Sequence, residues 1–111
     1  MDKTTQETVF KLRSLFPQEI TVNVRRSEDG GFSAEILSYP NIFTEADTFS
    51  ELMEMVNDAL YTYFDVPEAH VSFMPTYLPP VNFMNDLLGF PVHAEEEKIR
   101  LAIFDREGSR G

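Results

Sequence analysis

The chain has 111 residues and a formal net charge of −10, with nine Lys and Arg against nineteen Asp and Glu. This length suits a single domain over residues 1–111, and a hydrophobic fraction of 42%, including ten Phe and four Tyr, is enough for one core. The absence of Cys excludes disulfides, thiolate zinc sites and Cys nucleophiles, and the acidic balance disfavours direct binding of nucleic acid because phosphate backbones repel it.

The first segments of the sequence predict a helix followed by a two-stranded hairpin. Thr4 and Glu7 have capping-box spacing, and apolar residues recur at helical intervals until Pro17. The segment Glu28-Asp29-Gly30-Gly31 can supply the positive φ angles of a tight hairpin. Alternation of apolar and polar residues on either side predicts two antiparallel strands, which bury Ile20, Val22 and Val24 on the first and Phe32, Ala34 and Ile36 on the second.

The next segments predict a third strand and the longest helix. Pro40 interrupts the ladder because it has no amide proton, and residues 42–44 resume it as a short strand. Thr48 and Glu51 form a second capping box at the start of the helix. We expect the helix to cover the apolar face of the sheet with its stripe of Leu52, Val56, Ala59, Leu60 and Tyr63.

The last third of the sequence predicts a Pro-rich insertion over residues 66–93 and a final strand over residues 97–104. Within the insertion, Asn82 can cap a short helix that Gly89 ends. The predicted fold class is therefore α+β, with an N-terminal helix, a three-stranded antiparallel meander, one long helix packed on the sheet, the insertion and a final strand that joins the sheet. Its core is expected in residues 18–65 together with that strand.

The sequence also predicts a cytoplasmic protein without a membrane partner. Its first seven residues lack the basic segment and apolar run of a signal peptide. No stretch of the sequence approaches the roughly 20 apolar residues that are needed to cross a bilayer. We therefore expect the chain to be soluble in the cytoplasm.

No catalytic, metal-binding or cofactor-binding constellation stands out in the sequence. The carboxylates that could hold two Mg²⁺ ions for a nuclease reaction are Asp29, Glu35, Asp47 and Asp58. Three of them have another explanation: Asp29 is a hairpin residue, Asp47 is at a helix start and Glu35 points away from the buried face of its strand. His70 and His93 lack a second His at metal-ligand spacing, and Gly30-Gly31 is too short for a phosphate loop. The sequence therefore predicts that the chain is not an enzyme and needs no cofactor.

Residues 22–63 combine, in order, a strand, a Gly-aromatic hairpin, a second strand, a Pro-containing turn and a helix that starts with an acidic residue and Thr. This order and spacing resembles the HicB-like antitoxin family. The residues that carry the resemblance are Gly30-Gly31-Phe32, Ala34-Glu35, Tyr39-Pro40, Thr44-Glu45, Asp47-Thr48, Glu51-Leu52, Asn57 and Ala59-Leu60.

The resemblance implies a partial RNase H-like fold and a role as an antitoxin, which neutralises a small basic ribonuclease toxin of the HicA-like kind. The charge of −10 suits such a partner. Asn41 and Ala46 stand where the family commonly has Gly; Asn tolerates a left-handed backbone, whereas Ala is strained there if its φ is positive. We therefore expect this turn to differ locally from the turn of the family.

Binding of a basic toxin protein, by a chain that is itself a homo-oligomer, is the leading functional hypothesis. The residues expected to contact the partner are Glu28, Asp29, Glu35, Tyr77 and Phe83. One alternative is a homo-oligomeric structural or interaction module without a toxin, in which the Pro-rich insertion packs against a second copy. A metal-dependent nuclease is a further alternative, which Mg²⁺-dependent activity would distinguish.

Overall fold

The computed structural model of the chain describes residues 2–79 and 96–104. They form an α+β fold in which two α-helices and a short 3₁₀ helix accompany five strands, as the sequence predicted in outline. In chain order the elements are α1 (Lys3–Arg13), β1 (Glu19–Arg26), β2 (Phe32–Ile36), β3 (Phe43–Ala46), α2 (Phe49–Tyr63), the 3₁₀ helix (Glu68–Phe73), β4 (Thr76–Leu78) and β5 (Glu96–Phe104).

The five strands form one antiparallel sheet in the order β3-β2-β1-β5-β4. β1 lies at its centre, since Val22 pairs with Ile36 of β2 on one side and with Ile99 of β5 on the other. The predicted meander and the joining of the final strand to the sheet are therefore confirmed. The edges of the sheet, within the described residues, are β3 and β4.

One face of the sheet carries the core, because side chains alternate along each strand and the even-numbered residues of β1 and β2 point toward α2. The predicted inward residues of both strands are buried, as are Ile99 and Leu101 of β5. α2 covers this face with Phe49, Leu52, Met53, Val56, Asn57 and Leu60. The buried core also includes Val9, Phe16, Met74 and Tyr77, so it reaches beyond residues 18–65 and the final strand.

The two α-helices begin with different capping residues. The Thr48–Glu51 capping box is confirmed: the Thr48 hydroxyl accepts from the Glu51 backbone N–H at 3.1 Å and donates to the Glu51 carboxylate at 3.2 Å. The capping box predicted for α1 is wrong. Asp2 is the N-cap and accepts from the Thr5 backbone N–H at 2.7 Å, so Thr4 lies inside the first turn.

The two turns of the meander use left-handed backbone at different residue types. In the β1–β2 hairpin this residue is Gly30, with a φ of 99°. In the β2–β3 turn it is Asn41, with a φ of 62°, which an Asn side chain tolerates. Ala46 lies within β3 and has no positive φ, so its substitution for Gly brings no such strain.

The start of the Pro-rich insertion is more regular than the sequence predicted. Residues 68–73 form the 3₁₀ helix, and Thr76–Leu78 form β4, which pairs with β5 through Tyr77 and Ile103. Pro75 and Pro79 flank this strand and do not interrupt it, since Pro removes a ladder bond only where its own N–H is needed. The predicted short helix after Asn82 lies outside the described residues.

Candidate functional site

The tip of the β1–β2 hairpin exposes two of the predicted contact residues, Glu28 and Asp29. The Asp29 carboxylate accepts from the Gly31 backbone N–H at 3.4 Å. A hydrogen bond from the Ser27 side chain, and then the one from Gly31, hold the pKa of Asp29 below its usual value. Asp29 therefore keeps its negative charge at the hairpin tip and also helps to shape the turn.

Glu35 lies on the face of the sheet opposite to α2, as predicted. In the register of β2 and β3 it pairs with Phe43, and Ser33 pairs with Glu45. The two Arg side chains on this outer face are matched by carboxylates, since Arg25 lies 3.2 Å from Glu96 and Arg100 lies 3.7 Å from Glu19. These two pairs offset the Arg charges, whereas the exposed Lys98, which pairs with Asn23 across β1 and β5, adds a positive charge to the same face. Glu35 and Glu45 lie on the β2–β3 side of the face, away from Lys98.

Asp29 belongs to a concavity of about 650 Å³ between the hairpin, β3 and the start of α2. Its described lining contains four carboxylates and no Lys or Arg; the acidic residues are Asp29, Glu45, Asp47 and Glu51. With four carboxylates and no cation in its described lining, the concavity favours a positively charged occupant.

Glu35 lines a second concavity of about 570 Å³ on the outer face of the sheet. The two concavities share Ser33, Glu45 and Met55, so they adjoin each other along β3. Phe43 lies in the second one and is 67% exposed. We use the name acidic edge for β3 together with the carboxylates of both concavities, which are Asp29, Glu35, Glu45, Asp47 and Glu51.

Tyr77 is a correction to the predicted contact residues. Its side chain is 0% exposed and packs against Phe16, with ring centroids 6.4 Å apart. The Tyr77 hydroxyl donates to the Pro17 carbonyl oxygen, and burial raises the pKa of Tyr77 above its usual value. Because the whole side chain is inside the core, Tyr77 stabilises the fold and cannot contact a partner in this conformation.

The Tyr77 backbone is held by Asn57, a buried polar residue on α2. The Asn57 amide oxygen accepts from the Tyr77 N–H at 2.7 Å, and the Asn57 amide nitrogen donates to the Tyr77 carbonyl oxygen at 3.0 Å. This amide reproduces the two bonds that a neighbouring strand would make. It therefore anchors β4 to α2 and satisfies the outward-facing backbone of Tyr77.

The structure thus brings Asp29 and Glu35 to two adjoining concavities, with Glu28 at the nearby hairpin tip. Phe83 lies outside the described residues. Sequence reasoning missed the contributions of Glu45, Asp47, Glu51 and Phe43 to this surface. The available signal was the acidic pattern of residues 44–47. From the sequence alone, these residues indicated only the end of a strand and the start of a helix.

Among residues 2–79 and 96–104, no group of three or more His, Cys, Asp or Glu side chains is arranged to hold a metal ion. His70 lies in the 3₁₀ helix, partly buried, and its Nδ1 has no hydrogen-bond partner within the described residues. His93 lies outside them. Within the same described ranges, neither α-helix has the length and apolar character that a membrane span requires.

The fold and its surface define an acidic α+β protein with one helix packed on an antiparallel sheet. A UPF0150 protein of Thermotoga maritima is 44% identical to the chain over 48 residues, which are 43% of this chain and 67% of that relative. The chain belongs to the UPF0150 family, which is the HicB-like family. No protein-family model and no solved structure matches the chain.

Proposed function

We propose that the chain acts in the cytoplasm as an antitoxin-like protein, which neutralises a small basic ribonuclease toxin by protein–protein contact. Membership of the HicB-like family supports the class of protein. In this proposal no residue of the chain is catalytic and no cofactor takes part. The toxin is inhibited because its surface is covered.

The observation that carries the proposal is the acidic edge. Four carboxylates line one concavity of about 650 Å³, and no described Lys or Arg side chain lines it with them. The net charge of −10 adds a long-range field that attracts a basic protein and speeds its association. A basic ribonuclease therefore fits this surface better than a neutral or acidic partner.

The first test is co-purification of the tagged chain from its native cell extract at moderate salt, with mass spectrometry of the bound material. The expected result is a small basic protein in fixed ratio to the chain. High salt should release it, because screening weakens contacts between charged surfaces. Recovery of the chain alone, as a defined oligomer, would contradict the toxin-binding proposal.

Two matched double variants test whether the acidic edge is the contact surface. Glu28→Lys with Glu45→Lys reverses one exposed charge at the hairpin tip and one on the adjoining acidic edge, whereas Glu54→Lys with Asp58→Lys makes the same change in charge on the exposed face of α2. We expect the first pair to weaken the complex by at least about tenfold and the second pair by much less. Equal losses for both pairs would show that only net charge matters.

Self-association without a toxin is the second candidate function, and one observation favours it. Phe10 on α1 is 75% exposed and Leu15, just after the end of α1, is 50% exposed, so this end of the chain offers two large apolar side chains to a second copy. Sedimentation velocity of the purified chain tests this candidate. A defined oligomer that Phe10→Ser dissociates would support it, and a monomer at all concentrations would contradict it.

A further inference from the structure

The backbone of β3 has an open side. Ile36 donates its N–H to the Ile42 carbonyl oxygen at 3.0 Å, and the same register pairs Ala34 with Thr44. Hydrogen-bonding pairs recur at every second residue of an antiparallel ladder. The intervening residues, Phe43 and Glu45, therefore turn their N–H and C=O groups away from β2, toward the edge of the sheet.

β4, at the opposite edge, also turns backbone N–H and C=O groups away from its neighbouring strand, but there a side chain of the same chain bonds them. The N–H and C=O of Tyr77 point away from β5, and the Asn57 side-chain amide bonds both of them. No described strand lies on the outer side of β3. The Asn57 side chain thus closes the β4 edge, whereas the backbone of the β3 edge stays open to a partner.

The surroundings of β3 fit an added strand. The two adjoining concavities lie along β3, and both include Met55, which is 42% exposed. An added strand would cover Met55 and would place its outer-face side chains beside Phe43 and Glu45. An exposed apolar ring and free backbone groups on one edge are the features on which strand addition depends.

We propose that β3 is a docking edge to which a partner protein adds an extended, Lys- or Arg-rich segment as a sixth strand of the sheet. The partner's backbone bonds Phe43 and Glu45, and its basic side chains meet the carboxylates of the acidic edge. This inference rests on the proposed function, for which it supplies the mode of binding.

Charge decides between a basic segment and a second copy of the chain. If β3 paired with β3 of another copy, both acidic edges would be brought together, including Glu45 and Asp47 from each. Like charges that face each other across strands are destabilising. The same carboxylates that attract a Lys-rich strand therefore oppose pairing of the edge with itself.

The test is amide hydrogen exchange by NMR on the full chain, with a short synthetic peptide that carries Lys at alternate positions and Val between them. Exchange at Phe43 and Glu45 should slow by at least about tenfold, while the Thr44 amide, already bonded to β2, should change little. Unchanged exchange, or slowing spread evenly over all acidic segments, would overturn the proposal. Slowing that depends on protein concentration without peptide would overturn it in favour of self-pairing.

Variants of both partners separate strand addition from simple charge attraction. Glu45→Gln removes the charge and keeps the outward N–H, whereas Glu45→Pro removes both; Pro is compatible with an edge strand at such a position. We expect Glu45→Pro to bind the peptide about tenfold more weakly than Glu45→Gln. A peptide methylated on alternate backbone nitrogens leaves the chain unaltered and should lose binding. Equal binding of the methylated peptide would overturn the proposal even if Glu45→Pro failed to fold.

Failure of this inference can be told apart from failure of the proposed function. If a basic toxin is recovered from extract but Phe43 and Glu45 exchange freely in its complex, strand addition is wrong and toxin binding stands. If the peptide protects both amides but no basic protein is recovered, the docking edge stands and the toxin proposal fails.

Discussion

The edges of the sheet differ in what lies beyond their backbone. Beside β4, the Asn57 amide bonds Tyr77 twice, and the Tyr77 side chain is buried against Phe16. Beside β3, the described residues place exposed Phe43 and a group of carboxylates. Two short edge strands therefore differ in role: β4 stabilises the fold, whereas β3 borders a free surface. Edges that proteins leave open are managed with charge, and here the charge is negative.

The largest expected effect comes from opening the closed edge. Asn57→Ala leaves the buried N–H and C=O of Tyr77 without partners, so we expect it to lower the free energy of unfolding by about 2–4 kcal/mol. Urea denaturation measures this loss. Asp58→Ala, at the exposed neighbouring position, is the control and should change stability by less than about 0.5 kcal/mol. A cost for Asn57→Ala no larger than that of the control would mean that the amide does not anchor β4.

A smaller effect on the same edge should follow from Tyr77→Phe. This change keeps the ring in the core and removes only the hydrogen bond from the hydroxyl to the Pro17 carbonyl oxygen. We expect a loss of about 1 kcal/mol, since a partly buried carbonyl group is left without its donor. The control is Tyr63→Phe, whose side chain is 45% exposed and keeps its ring contact with Tyr39, so the change should be close to neutral. Thermal unfolding of both variants measures the two losses of stability. An equal loss for Tyr77→Phe and Tyr63→Phe would contradict a role of the Tyr77 hydroxyl in stability.

On the open edge, stability and binding should separate. Phe43 is 67% exposed, so Phe43→Ser should change the free energy of unfolding by less than about 0.5 kcal/mol. It should nevertheless weaken binding of the Lys-containing peptide, because the added strand loses its apolar neighbour. Calorimetric titration and urea denaturation of the same variant measure the two quantities. A variant that unfolds easily would mean that the Phe43 ring supports the fold.

The smallest effect concerns acid and the hairpin tip. The pKa of Asp29 is lowered in the folded chain from its ordinary 3.8 by hydrogen bonds from Ser27 and Gly31. Its contribution to stability is therefore fully present above pH 3.8 and is lost as the pH falls through the lower folded pKa. In an NMR titration the midpoint of the Asp29 carboxyl should lie below pH 3.8. The stability of Asp29→Asn should lack this part of the acid dependence. Titration at or above the ordinary value would contradict the assigned hydrogen bonds.

Much of the fold could be predicted because its pattern repeats over many residues. Alternation along β1, β2 and β5 fixed which side chains point into the core, and the capping box at Thr48 fixed the start of α2. Three residues of β4 are too few to show alternation, and the nearby prolines indicated irregular structure. Asn57 carries a signal in the sequence beyond its place in the family pattern, because it is a polar residue inside the apolar stripe of α2, between Val56 and Leu60.

The candidate site was predicted only in part, since surfaces depend on contacts between distant segments. Glu28, Asp29 and Glu35 are exposed or partly exposed as expected, because turn residues and the outer face of a sheet follow from local pattern. The sequence predicts an exposed Tyr77, because an apolar residue among prolines has no local pattern that marks it as buried. The grouping of Glu45, Asp47 and Glu51 with Asp29 depends on how α2 returns beside the hairpin.

RNA cleavage by the co-purified basic protein, with and without this chain, tests the central claim most directly. We expect the basic protein to cleave RNA alone and an equimolar amount of the chain to stop the cleavage. Glu28→Lys with Glu45→Lys should restore the cleavage, whereas Glu54→Lys with Asp58→Lys should not. A basic partner that cleaves no RNA, or one whose cleavage is unchanged in the presence of the chain, would contradict the central claim.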